Sequence, residues 1–207
     1  MRTITMNVYK FDELSETAKR YARNTYRENA CEDYDDYVLS IKAIGQVLGM
    51  RPDWEISLCS HSYVEFKRNL DEEIEELTGV RALKWVWNNW IEKTLRGKYI
   101  GKLFPCEKSK EHPAGFDHKF YHSKATKEFS CPFTGFTMDM VFIETYQHMQ
   151  EEVREGKEPD IDDFLKDLES RLCEDWLSEM KYRDSDEYID EMMEANDYEF
   201  YENGVQL

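Results

Sequence analysis

Polar and apolar positions alternate from Thr3 to Phe11, with Ile4, Met6 and Val8 on one side and Thr3, Thr5, Asn7 and Tyr9 on the other. A period of two predicts a strand with one buried face. The period then changes. Ser15 stands where an N-cap accepts a backbone hydrogen bond, and Ala18, Tyr21, Ala22, Thr25 and Tyr26 follow at helical spacing across Glu16–Asn29. Lys19, Arg20, Arg23 and Arg27 occupy the opposite side of that helix. Glu32–Leu48 repeats the helical pattern through Tyr34, Tyr37, Val38, Ile41, Ile44, Val47 and Leu48, and Gly49 is placed to end it. Pro52 marks a break. Trp54–Phe66 alternates again, which predicts either one long strand or a hairpin turning at Ser60-His61-Ser62.

Asn69 with Glu72 three residues on has the form of a capping box, and Gly79 interrupts the helix it would open. Val80, Leu83, Val86, Trp87, Trp90, Ile91 and Leu95 then mark a strongly apolar helical face, which places the cluster Trp85, Trp87 and Trp90 in the core. Residues 93–127, broken by glycines and prolines, read as a long loop or loop-strand region. Phe129–Met140 reads as strand, turn and strand around Pro132-Phe133-Thr134-Gly135. Helices follow from Asp139 to Glu155, along the seam Phe164, Leu165, Leu168, Leu172, Trp176 and Met180, and after a cap at Asp184 or Ser185. Tyr198–Tyr201, Asn203-Gly204 and Val205–Leu207 predict a terminal strand and tight turn. The fold class expected is α+β: a small, mostly antiparallel sheet packed by helices, with an acidic helical C-terminal part. Residues 1–150 would form the α+β domain, and residues 151–207 an acidic helical extension packed on it.

Charge changes this picture. The chain of 207 residues has a formal net charge of −17. Residues 151–207 hold 21 acidic and 6 basic residues, a net of −15, while residues 93–127 hold 9 basic and 3 acidic, a net of +6. Such acidity excludes direct binding to nucleic acid or to an anionic membrane and favours a protein with a basic groove. The basic middle and the acidic end would attract each other within the fold or across a homodimer. No run of apolar residues is long enough to span a membrane, and the alternation at Met1–Met6 predicts no secretory leader. Five widely spaced cysteines, an odd number, suit reduced thiols in a cytoplasm.

Candidate chemistry is sparse. Cys106, His112, His118, His122 and Cys131 have the ligand types of a zinc site, but no CxxC pair anchors them. Glu144 and His148 stand one helical turn apart, and Cys59 or Cys131 with His61 or His148 could form a thiol–imidazole pair. No phosphate-binding loop, dinucleotide fingerprint or nucleophile elbow is present, so no catalytic residue and no cofactor is assigned. The strongest candidates are carboxylates that would imitate phosphate spacing along two helices. Asp162, Asp163, Asp167, Glu169, Glu174, Asp175 and Glu179 lie on the first, and Asp186, Glu187, Asp190, Glu191 and Glu194 on the second.

The run Asn7-Val8-Tyr9-Lys10-Phe11-Asp12-Glu13-Leu14-Ser15-Glu16-Thr17-Ala18-Lys19 resembles the opening of a loose family of small acidic phage and prophage proteins. The turn Phe133-Thr134-Gly135-Phe136 and the ending from Glu194 to Gly204 are similar to the same group, whose members are often labelled as an antitoxin of a toxin–antitoxin stability system. The resemblance implies a phage or mobile-element setting and brings no catalytic residues. The expected function is a non-catalytic protein that blocks a host defence nucleic-acid enzyme, of CRISPR or restriction type, through an acidic surface. One alternative is an antitoxin that contacts a small toxin through an apolar groove or the edge at Tyr198–Tyr201. A second is a metal-dependent enzyme using the Cys/His loop.

Overall fold

A computed structural model describes residues 7–30, 34–92 and 138–207. The fold is α+β, as the sequence predicts: helices dominate, and among the described residues the short strands pair antiparallel, in two two-stranded sheets. By packing, the chain divides into a unit of residues 1–33 with 177–207 and a unit of residues 34–176, a division different from the charge boundary at residue 150.

In the smaller unit, β1 (Tyr9–Lys10) leads through a 3₁₀ turn at Phe11–Glu13 into α1 (Glu16–Asn29). Among the described residues pairing covers only Tyr9–Lys10: the Lys10 amide donates to Glu13 Oε2 at 2.8 Å and turns the chain, and Val8, expected on the buried side, is exposed. The expected strand residues Thr3–Met6 lie outside the described residues. Ser15 caps α1 as expected, its Oγ accepting from the Ala18 amide. β1 pairs with β4 (Glu199–Phe200), Tyr9 opposite Phe200. Phe11, Leu14, Ala18 and Ala22 pack with Phe200 and with Ile189 and Met193 of α7 (Asp186–Ala195). Each large apolar side chain so buried contributes about 1.5–3 kcal/mol.

In the larger unit, α2 (Asp35–Leu48) ends at Gly49, whose φ of 71° is the left-handed conformation of a helix C-terminus. β2 (Arg51–Glu55) and β3 (Tyr63–Lys67) form the hairpin alternative. Ser62 Oγ accepts from the Ser57 amide and donates to the Ser57 carbonyl, which closes the loop. Pro52 lies within β2 opposite Phe66 instead of breaking the chain before it. Asn69 does not open the next helix. Its Nδ2 donates to the Gly49 carbonyl, and the short α3 (Glu72–Glu75) starts after Asp71. α4 (Gly79–Val86) runs into a π-helical turn, Trp87–Ile91, that puts Trp90 and Ile91 in the core; Val80 is exposed.

α5 (Asp139–Arg154) buries Phe142, Ile143, Tyr146 and Met149. α6 is the long helix Ile161–Arg183, whose part to Trp176 belongs to the larger unit and whose last turns belong to the smaller one. Phe164 of α6 sits between the Trp90 and Phe142 rings, at 5.7 and 5.6 Å, so Trp90 is core. Of the other two tryptophans expected there, Trp85 meets the Trp90 ring edge-on at 4.9 Å, and both it and Trp87 are only half-buried. The basic loop at 93–127, and the strand–turn–strand reading up to residue 137, lie outside the described residues.

Candidate functional site

The acidic helices begin with a reciprocal cap. Asp160 Oδ1 accepts from the Asp163 amide at 2.7 Å, and Asp163 Oδ2 accepts from the Asp160 amide at 3.1 Å. Ile161, Phe164, Leu165, Leu168, Leu172, Cys173 and Trp176 then turn one side of α6 to the core, which leaves its carboxylates on the other sides. α7 begins at Ser185, whose Oγ accepts from the Tyr188 amide, and buries Ile189 and Met193.

Half of the twelve candidate carboxylates are tied to cations of the chain itself. Arg68, just after β3, reaches α6: its Nη groups clasp both oxygens of Glu169, and its Nε donates to Asp162 at 3.0 Å. Glu169 also accepts from the Phe66 amide at 2.6 Å. Lys166, with Arg68, holds the Asp162 carboxyl below the usual carboxylate range. Asp167 lies between His148 and Arg171, 2.9 Å from each. Glu179 accepts from Arg183 Nε at 2.7 Å.

In the smaller unit the basic face of α1 answers α7. Arg23 grips Asp190 with two hydrogen bonds of 2.6 Å, and Arg27 donates to Asp186. Arg27, with Arg23, holds the Asp186 carboxyl below its usual range. These ion pairs are what the sequence could not locate. The cations of α1 were visible as a helix face, but nothing in their spacing says that α7 lies against them.

The remaining candidates differ. Glu174 accepts from Ser170 Oγ at 3.3 Å, and Asp175 is exposed. Among the described residues, Asp163, Glu174, Glu187, Glu191 and Glu194 form no ion pair. Glu187, Glu191 and Glu194 follow one another at four and three residues, so they form one exposed stripe along α7. At 1.5 Å of rise per residue the stripe is about 10 Å long. Its field reaches Tyr182, whose phenol is pushed up by the Glu191 charge.

The other sequence candidates are not assembled. His148 faces Asp167 across two helices, and its Nδ1 contact is with that residue and not with Glu144. Cys59 and His61 are both exposed in the β2–β3 connection, and Cys173 is buried, which pushes its thiol up. Among the described residues no group of three or more His, Cys, Asp or Glu side chains could hold a metal. Cys106, His112, His118, His122 and Cys131 lie outside those residues, so the zinc reading falls there too. The edge at Tyr198–Tyr201 is covered on both sides, by β1 and by the returning chain at Gln206, with Leu207 N donating to the Glu199 carbonyl. Among the described residues no helix is long and apolar enough to cross a membrane.

Comparison of the chain with models of protein families, with curated proteins and with solved structures gives no match.

Proposed function

We propose that this chain is a non-catalytic binding protein that docks an acidic surface onto a basic groove of a nucleic-acid enzyme and blocks it. The setting is a phage or prophage acting on a host defence nuclease in the cytoplasm. The observation that supports this reading is the stripe Glu187, Glu191 and Glu194: carboxylates in register on one helix, exposed and without an ion pair among the described residues. Bringing such charges together costs repulsion, set against one long hydrogen bond from the Tyr182 hydroxyl to Glu191, whereas a partner's lysines and arginines would release that repulsion on binding. The paired carboxylates Asp162, Asp167, Glu169, Asp186 and Asp190 hold the fold and leave the docking role to the stripe.

The test is capture of host proteins by the tagged chain at low and high salt, read by mass spectrometry. A nucleic-acid enzyme recovered at low salt and lost at high salt, and lost at both with Glu187→Lys, Glu191→Lys and Glu194→Lys combined, is the expected result. Retention of the same partner by the triple variant would sink the proposal. A single small partner held through high salt would favour the antitoxin alternative.

A further inference from the structure

The smaller unit contains a cavity of about 500 Å³ walled by Tyr26, Tyr188, Tyr198 and Phe200. Its volume is in the range of sites that enclose a small molecule or a large side chain. Ala22 and Ala30 of the α1 segment line it where bulkier residues would fill it. We infer that this cavity receives the guanidinium of an arginine from the protein that the α7 stripe docks on; the inference rests on that reading.

Three observations converge on a cation. Four of the lining residues are aromatic, three of them tyrosines, and ring faces attract guanidinium groups. The unit that holds the cavity, residues 1–33 with 177–207, carries 16 acidic and 8 basic residues, so its field favours a cation over an anion. The helix that supplies Tyr188 also carries the stripe, beginning at the adjacent Glu187. Acceptors for the guanidinium N–H groups are at hand. Asn29 Nδ2 donates to the Thr25 carbonyl at 2.8 Å, which leaves its Oδ1 to accept, and Thr25 and Gln206 also line the cavity. Arg183 lines it as well, but its charge is offset by Glu179, which accepts from its Nε at 2.7 Å. Tyrosine and arginine are both enriched among the side chains that anchor protein interfaces.

The test is a nuclear magnetic resonance titration of the tyrosine ring signals of the full chain. The probes are N-acetyl-arginine amide, N-acetyl-norleucine amide as the uncharged control, and inorganic phosphate as the anion. Expected are saturable shifts of Tyr26, Tyr188 and Tyr198 with the arginine compound alone, at millimolar concentrations or above, since the ring contacts together supply about 4 kcal/mol or less. Tyr188→Ala should weaken binding roughly fivefold. Ala30→Trp, which fills the cavity from its rim, should abolish it and serves as the second variant if Tyr188→Ala does not fold. Arg183→Gln should tighten binding of the arginine compound. No shift with that compound, an equal shift with norleucine or phosphate, or weaker binding in Arg183→Gln would each overturn the inference. Failure here would leave salt-dependent capture of a partner untouched, whereas loss of that capture with intact ring shifts would remove the stripe and spare the cavity.

Discussion

Gly204 is a residue whose identity is dictated by its surroundings. Its φ is 87°, and a Cβ built on it would stand 2.2 Å from the Ala18 carbonyl oxygen of α1. Both the backbone conformation and the lack of space exclude a side chain, because the obstructing atom is backbone and cannot swing away. Gly204→Ala is expected to destabilise the smaller unit by more than about 2 kcal/mol, seen as a lowered thermal midpoint by circular dichroism. An unchanged midpoint would mean that the terminal turn is free to shift. The Asn203-Gly204 signal was legible in the sequence as a turn. Its tight seat against Ala18 was not, since that contact joins positions far apart in the chain.

At the scale of elements, caps were the most legible feature. Ser15 and Ser185 accept from the amides of Ala18 and Tyr188, and Gly49 ends its helix, because each device acts within a few residues. Asn69 has the same local form yet is drawn to the Gly49 carbonyl, so the helix starts later. The candidate carboxylates show the same limit. Glu169 looked like any acid on a solvated helix face, but it binds the Phe66 amide and Arg68 and so ties β3 to α6. Glu169→Ala should therefore cost roughly 2 kcal/mol of stability in urea denaturation, since it leaves the Phe66 N–H without its carboxylate acceptor and the Arg68 guanidinium with Asp162 and the Phe66 carbonyl alone. A variant as stable as the wild type would return Glu169 to the surface candidates.

At the scale of the whole molecule, net charge and its internal pairing set the response to pH. Asp162 and Asp186 have pKa values lowered by their lysine and arginine partners in the folded chain. The unfolded chain, with ordinary aspartates near pH 4, binds protons first as pH falls. The stabilisation from these pairs is therefore complete above about pH 4 and is lost as pH drops through the folded values. Denaturation midpoints measured from neutral pH downward should fall in that window, and Asp162→Asn with Asp186→Asn should make the fall shallower. An unaltered slope in the double variant would show that other carboxylates govern it.

The sequence by itself determined the α+β class, most helix positions, the core seam of α6 and the charge imbalance. All of these follow from periodicity or composition, which act locally or as sums. Only the tertiary structure decided which carboxylates are spent on Arg23, Arg27, Arg68 and His148 and which are left as a stripe on α7, and that Tyr26 of α1 lines one cavity with Tyr188 and Tyr198 from the far end of the chain. Pairing and enclosure depend on which helix faces meet, and that is settled when buried apolar surface brings segments far apart in the chain together.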